Sequence, residues 1–396
     1  MDNTAFIRIT VASLFLSLTL MTCRSPTSGD QDEPVEINDL QDVVTFSVGQ
    51  LVNSIDEVPS DRYPIRTTEG GVWELRGPES WTSGFFPGLL WQATRFRDNP
   101  DLVDAAMHYT HGLEEQQYNT LHHDVGFMIL NSYGHAYREK GKPEYREIIL
   151  QGAESLSTRY NSTVGAIQSW SGDFPVIIDN MMNLEILFWA AENGGDESFY
   201  DIAVEHAYTT LEHHVRDDGS SYQVVEFDEE TGEVTGKRTV QGYDTGSAWS
   251  RGQAWGVYGY TMAYRETGDS TFLETAEKMA DFFIKHLPSD YIPYWDLLLP
   301  DDDDRRYRDT SAASILLSAL LELKSYVDDP AVYDSVIDGM MESLKNNYLA
   351  ANTPSSGILL ESAYIVHSED PYDRSASTIW GDYYFMESLI RYGLAD

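Results

Sequence analysis

Thiols are almost absent: the 396 residues include one cysteine, Cys23. With no second Cys there is no disulfide, so a hydrophobic core must carry the stability of the chain. Basic charge is also scarce, with 26 Lys and Arg against 65 Asp and Glu, a net charge of −39. Phosphate binding needs a basic face, so nucleic acid is excluded as a partner, and an anionic membrane surface with it. An anionic small substrate is not excluded, because salt screens distant charge within roughly 10 Å and leaves a local Arg in command. The acidity otherwise reads as solubility in a salty setting. No phosphate-cradling Gly loop is present, since "GYG" at 258–260 lies inside a helical pattern. Metal ligation is not expected either. "HHD" (122–124) lacks a third ligand at useful spacing, and "DDDD" (301–304) lacks the Gly and terminal Glu of a calcium loop. The expectation is therefore no metal and no cofactor.

Long apolar runs are missing except at the start. Arg8 precedes "ITVASLFLSLTLM" (9–21), too short for a stable bilayer anchor and of the length of an export signal. Cys23 follows in "LMTC", the spacing of a lipoprotein signal in which Cys23 is acylated and becomes the first mature residue. Simple secretion stays open, because Thr22 is a less usual neighbour than Gly or Ala. The organisation expected is a signal peptide over 1–22, a flexible Pro/Ser/Asp-rich tether over 23–35, and a single domain over 36–396. Export to the periplasm or cell surface follows, with the membrane touched only through a lipid at Cys23.

Beyond the tether, apolar residues recur at helical spacing. The exception is "SYQVVEFDEETGEVTGKRTV" (221–240), which reads as a β-hairpin with turn residues at its centre. Two kinds of helix alternate. Segments such as "FLETAEKMADFFIKHL" and "VYDSVIDGMMESLKNNYL" are amphipathic, leaving a charged face for water. Six others are apolar nearly all round and so must be buried: "SGFFPGLLWQAT", "VGFMILNSYGHAY", "NMMNLEILFWAAE", "RGQAWGVYGYTMAY", "TSAASILLSALLEL" and "DYYFMESLIRYG". Five solvent-faced helices plus an N-terminal one near 36–54 complete six pairs. The closed solution is an all-α (α/α)6 barrel, an inner ring of six inside an outer ring of six, with the hairpin as an excursion. A helical solenoid fits less well, because outer-helix starts fall 43 to 72 residues apart, longer and less even than solenoid repeats.

Inner helices of such a barrel run parallel, so their N-termini gather at one mouth, where N–H groups and partial positive charge collect. The six heads read "SWTSG", "HHDVG", "IIDNM", "WSRGQ", "YRDTS" and "IWGDY". Asp309, Ser83 and Asp382 are read equally well as plain N-caps. Asp124 and Asp179 invite more, since two imidazoles crowd the first and "PVII" buries the second. Two carboxylates, Trp and Tyr faces, an Arg and amides at one mouth suit a sugar.

Together "SWTSGFFPGLLW", "HHDVGFM", "IIDNMMNLEILFWA", "SAWSRGQAWGVYGYT", "DTSAASI" and "STIWGDYYFMESLIR" resemble the unsaturated glucuronyl hydrolases of glycoside hydrolase family 88, from about residue 45 to the C-terminus. The resemblance implies removal of a 4,5-unsaturated uronic acid from the non-reducing end of lyase-made oligosaccharides, by hydration of the C4=C5 enol ether. Asp179 would protonate C4, and Asp124 would position water or the ring. Trp81, His123, Gln223, Gln241, Arg251 and Trp255 match substrate-binding positions, with Arg251 chosen for the substrate carboxylate. Two departures stand out: Gln223 and Val240 occupy places where many members carry histidines, which points to an altered neighbouring subsite, such as one for sulfated rhamnose from a marine polysaccharide like ulvan. The unsaturated rhamnogalacturonyl hydrolases share barrel and chemistry but fit these blocks less well. Two other readings stay open: a polysaccharide lyase, and a non-catalytic glycan-binding lipoprotein. The oligomeric state is not legible.

Overall fold

The computed structural model describes residues 34–395; the leader, Cys23 and the tether up to residue 33 lie outside the described residues. From Glu36 onward the chain forms one compact unit.

Twelve helical segments pair off along the chain. The outer set comprises Leu40–Glu57, Pro100–His111, Pro143–Ser157, Ser198–His213, Ser270–Lys285 and Ala331–Ser343. In Ser270–Lys285 the buried residues Phe272, Thr275, Ala276, Met279, Ala280 and Phe283 recur every third or fourth place, the stripe that packs inward. Polar caps start several of these helices. Asn99 accepts from the Asp101 N–H ahead of Pro100 at the first turn, and Asp269 accepts from Thr271.

The inner set is Phe85–Thr94, Gly126–Gly134 running on into His135–Lys140, Asn180–Asn183 with Glu185–Glu192, Ser250–Thr267, Thr310–Leu323 and Ile379–Arg391. Each packs against the next, and Ile379–Arg391 closes on Phe85–Thr94, so the ring is complete. In Thr310–Leu323 every residue but Glu322 is buried. This is the (α/α)6 barrel that the helix pattern predicts.

Two inner helices are irregular, and they follow Asp124 and Asp179. Gly126–Gly134 is wound as a π-helix, and the segment after Asp179 breaks at Leu184. π-turns trade regular bonding for local repositioning and gather at functional sites. Close approach explains Gly126: a Cβ there would stand 2.7 Å from Asn183 Oδ1, which accepts the Phe127 N–H at 2.9 Å. That bond ties together the two segments that follow the carboxylates.

The hairpin also holds more than the sequence pattern predicts. Val224–Phe227 and Val234–Arg238 pair antiparallel, and Pro175–Ile177 adds a third strand on the far side of Val224–Phe227. Three residues are too short for a period-2 signal. Val176, Val225 and Phe227 bury one face against Val164, Ala166 and Phe174. The Ile178 N–H then bonds Gln223 O at 3.0 Å, so the sheet fixes the backbone up to Asp179. Among the described residues no helix is long and apolar enough to cross a membrane.

Candidate active site

The inner-helix heads open into one cleft with about 630 Å³ of open space. Asp124 and Asp179 line it together, with Trp81, His123, Gln241, Arg251 and Trp255. Seven of the eight catalytic and substrate-binding positions predicted from sequence therefore meet at one place.

Neither carboxylate caps a helix through its side chain. Asp179 has helical dihedrals and makes no side-chain capping bond. Its Oδ2 is buried without a hydrogen-bond partner, so this oxygen is left free beside the cleft. Burial pushes its carboxyl up to about 7; Arg251 pulls the other way, and the negative charge of Asp124 adds to the rise. Asp124 is mostly buried, with 16 % of its side chain exposed, and burial alone would raise it too. The charge of His123, then the hydrogen bond and charge of His122, and then the Asn183 amide outweigh that and hold it below its ordinary value. His122 Nδ1 stands 3.1 Å from Asp124 Oδ2, and His123 Nε2 stands 3.5 Å from Oδ1. Two neighbouring acids are thus driven apart, one protonated near neutral pH and one ionised, the pattern that separates acid from base roles in carboxylate pairs.

Arg251 comes from the first turn of Ser250–Thr267 and is 2 % exposed. Asp309 Oδ2 pairs with its Nη1 at 3.2 Å, and the Ala363 and Tyr364 carbonyls accept from Nη1 and Nη2. Its guanidinium lies 4.4 Å over the Trp249 ring and 5.3 Å from that of Trp380. These contacts fix a full positive charge in a planar orientation at the cleft wall. Asp309 does cap its helix, accepting from Ser311 and Ala312, but it is also this counter-ion. Asp382 caps nothing; it accepts from Ile358 and Leu359 N–H and fastens that returning chain. Ser83 makes no capping bond either.

Gln223 does not line the cleft. Its Oε1 accepts from the Val240 and Gln241 N–H groups at 2.9 and 2.8 Å, and its Nε2 donates to Gln241 Oε1 at 2.6 Å. The amide is spent on holding Gln241, which does line the cleft and donates to Tyr364 O at 3.2 Å. Gln223 therefore acts on the cleft through Gln241, with Oε1 and one of its two Nε2 hydrogens engaged. Val240 is 52 % exposed and also absent from the cleft wall.

The cleft includes residues that the sequence pattern misses: Phe127, Trp170, Trp249 and Tyr364. Trp170 is 41 % exposed at the opening, whereas Trp81, Phe127 and Trp255 pack ring on ring at 5.4 to 5.8 Å deeper in. Such faces can stack on a pyranose. Among the described residues no group of three or more His, Cys, Asp or Glu could hold a metal ion.

Residues 54–392 match the model of Glycosyl Hydrolase Family 88. The chain is 37% identical over 393 residues to the unsaturated glucuronyl hydrolase of Formosa agariphila, covering 96% of each. It superposes on the crystal structure of an unsaturated glucuronyl hydrolase specific for heparin with a TM-score of 0.86 at 39% identity, covering 89% of this chain and 96% of that one. An Asp-to-Asn variant of the unsaturated glucuronyl hydrolase from Streptococcus agalactiae, complexed with dGlcA-GalNAc6S, matches with a TM-score of 0.78 at 30% identity, over 91% of this chain and 93% of that one.

Proposed function

The chain belongs to glycoside hydrolase family 88 and is a glycosidase, and from that premise we propose that Asp179 drives removal of a 4,5-unsaturated uronic acid from oligosaccharide ends. The observation that carries the proposal is the pairing of a free, protonated Asp179 carboxyl with an ionised Asp124 in one aromatic cleft. The Asp179 proton goes to C4 of the C4=C5 enol ether, leaving cationic character at C5 that the ionised Asp124 opposes. Water adds at C5 and its proton returns to the Asp179 carboxylate. The hemiketal so formed opens, and the remaining sugar leaves. The Arg251 fork meets the uronate carboxylate, which tightens the demand for a planar anion. Trp81 and Trp255 stack on the ring, His123 and Gln241 bond its hydroxyls, and Trp170 carries the sugar beyond the scissile bond.

The narrower substrate is a sulfated marine oligosaccharide such as an ulvan fragment. Gln223 and Val240, in place of family histidines, and the net charge of −39 support this reading. The protein is exported and held at the periplasmic or outer surface by a lipid on Cys23, a reading that rests on residues 1–23. The ultraviolet absorbance of the unsaturated uronate tests the activity. It should fall when the protein meets disaccharides made by lyases from chondroitin, heparin, hyaluronan, ulvan or xanthan-type polymers, fastest with its own. Asp179→Asn should keep binding yet lose at least a hundredfold in kcat, the lower end of the roughly 10²–10⁴ that a positioned acid contributes. Robust turnover by that variant removes Asp179 from the role, and a rise in absorbance from intact polymer would make the protein a lyase.

A further inference from the structure

We propose that the rear of the barrel, at the end away from the acids, holds a second binding site for a small hydroxylated anion, a sugar acid or a sulfated monosaccharide. A second cavity with about 1080 Å³ of open space lies there, lined from the later turns of the inner helices. Phe127 belongs to both cavities, so this one ring stands between them.

The inner helices abandon their apolar character at this end. One wall is a compensated network. Arg391 pairs with Glu322 at 2.9 Å and donates to the Tyr258 hydroxyl at 2.9 Å, which donates in turn to Glu387 at 3.0 Å. Arg265 pairs with Glu185 at 2.6 Å and Glu322 at 2.9 Å. The facing wall carries two guanidiniums and one carboxylate, Glu139, which pairs with neither. Arg95 and Arg138 both line the cavity, and among the described residues neither guanidinium has an ion-pair or hydrogen-bond partner. Both side chains are exposed at the rim of the cavity. Beside them His135 is held neutral by burial first and then by the charges of Arg138 and Arg95, with its Nε2 2.9 Å from the Tyr383 hydroxyl.

A helix C-terminus favours cations, and Arg95 and Arg138 both sit at one. That accounts for their charge but not for the polar groups between them. Gln92 Oε1 and Asn131 Nδ2 are buried with no partner, one an acceptor and one a donor, at a cost that a ligand would remove. The two guanidinium forks suit a carboxylate or sulfate. The two amides suit hydroxyls, and the Tyr383 and Tyr384 rings lining the same cavity suit a sugar face.

Calorimetric titration of the full-length protein with D-glucuronate, and separately with inorganic sulfate, tests this. The proposal expects a binding event that persists in Arg251→Gln and weakens at least tenfold in the Arg95→Gln/Arg138→Gln double variant. The double variant should keep its thermal midpoint, and its kcat and KM on an unsaturated disaccharide. Binding of glucuronate alone assigns the site to a sugar acid, and binding of sulfate, with or without glucuronate, assigns it to a sulfated ligand. No binding of either probe, binding abolished by Arg251→Gln alone, or binding untouched in the double variant overturns it.

Discussion

Asp179→Asn should make the protein more stable in alkaline solution while disabling it. The Asp179 carboxyl is raised from 3.8 to about 7 because its ionised form is poorly tolerated where it is buried. A group raised in the folded state contributes stability that is fully present below about 4 and is lost as pH climbs towards 7. At about 1.4 kcal/mol per pH unit, the rise is worth about 4 kcal/mol. An asparagine of the same size carries no charge at any of these pH values and escapes the loss. The two proteins should therefore unfold at matching midpoints near pH 4. They should separate between pH 4 and 7, and stay apart above it with the variant ahead by about 4 kcal/mol. Thermal unfolding followed by circular dichroism across pH 4 to 9 measures the gap. A wild type at least as stable as the variant at pH 8 would refute the claim that burial holds Asp179 protonated.

His122→Gln takes away a partner of the Asp124 carboxylate, so the Asp124 pKa rises and Asp124 needs a higher pH to ionise; the acid limb of the kcat/KM profile should move upward, and a profile that stays put would separate His122 from Asp124. Asp309→Asn keeps a good N-cap but strips Arg251 of its buried counter-ion, and should cost about 3–5 kcal/mol in unfolding measurements. Trp170→Ala alters a half-exposed ring, so stability should change by less than about 0.5 kcal/mol while KM rises several-fold; an unchanged KM would take Trp170 out of substrate contact. Gln223→Ala frees the turn that carries Gln241, and should raise KM more than it lowers kcat.

The barrel is legible because its two helix types differ in pattern: a helix with no polar face, such as Thr310–Leu323, has nowhere to go but inside. The heads are legible for a related reason, since polar and aromatic residues cluster where those helices begin. What escapes the pattern is the work of returning chain. Trp170 and Tyr364 reach the cleft from loops, whose path no periodicity encodes. The strand Pro175–Ile177 is too short to alternate visibly. Gln223 looks like a contact residue because its type and neighbourhood fit one, and only the bonds to Val240 and Gln241 reveal that it holds Gln241. The π-helix at Gly126–Gly134 depends on close packing against Asn183, a contact 56 residues away.

Proton delivery from Asp179 to C4 is the step on which the account rests, and proton NMR of the reaction in D2O reads it directly. The account predicts that the vinyl C4–H signal vanishes in step with release of the neighbouring sugar, with one deuteron entering at C4 in the first turnovers. A free unsaturated uronate, its vinyl proton intact, appearing beside the released sugar would contradict it.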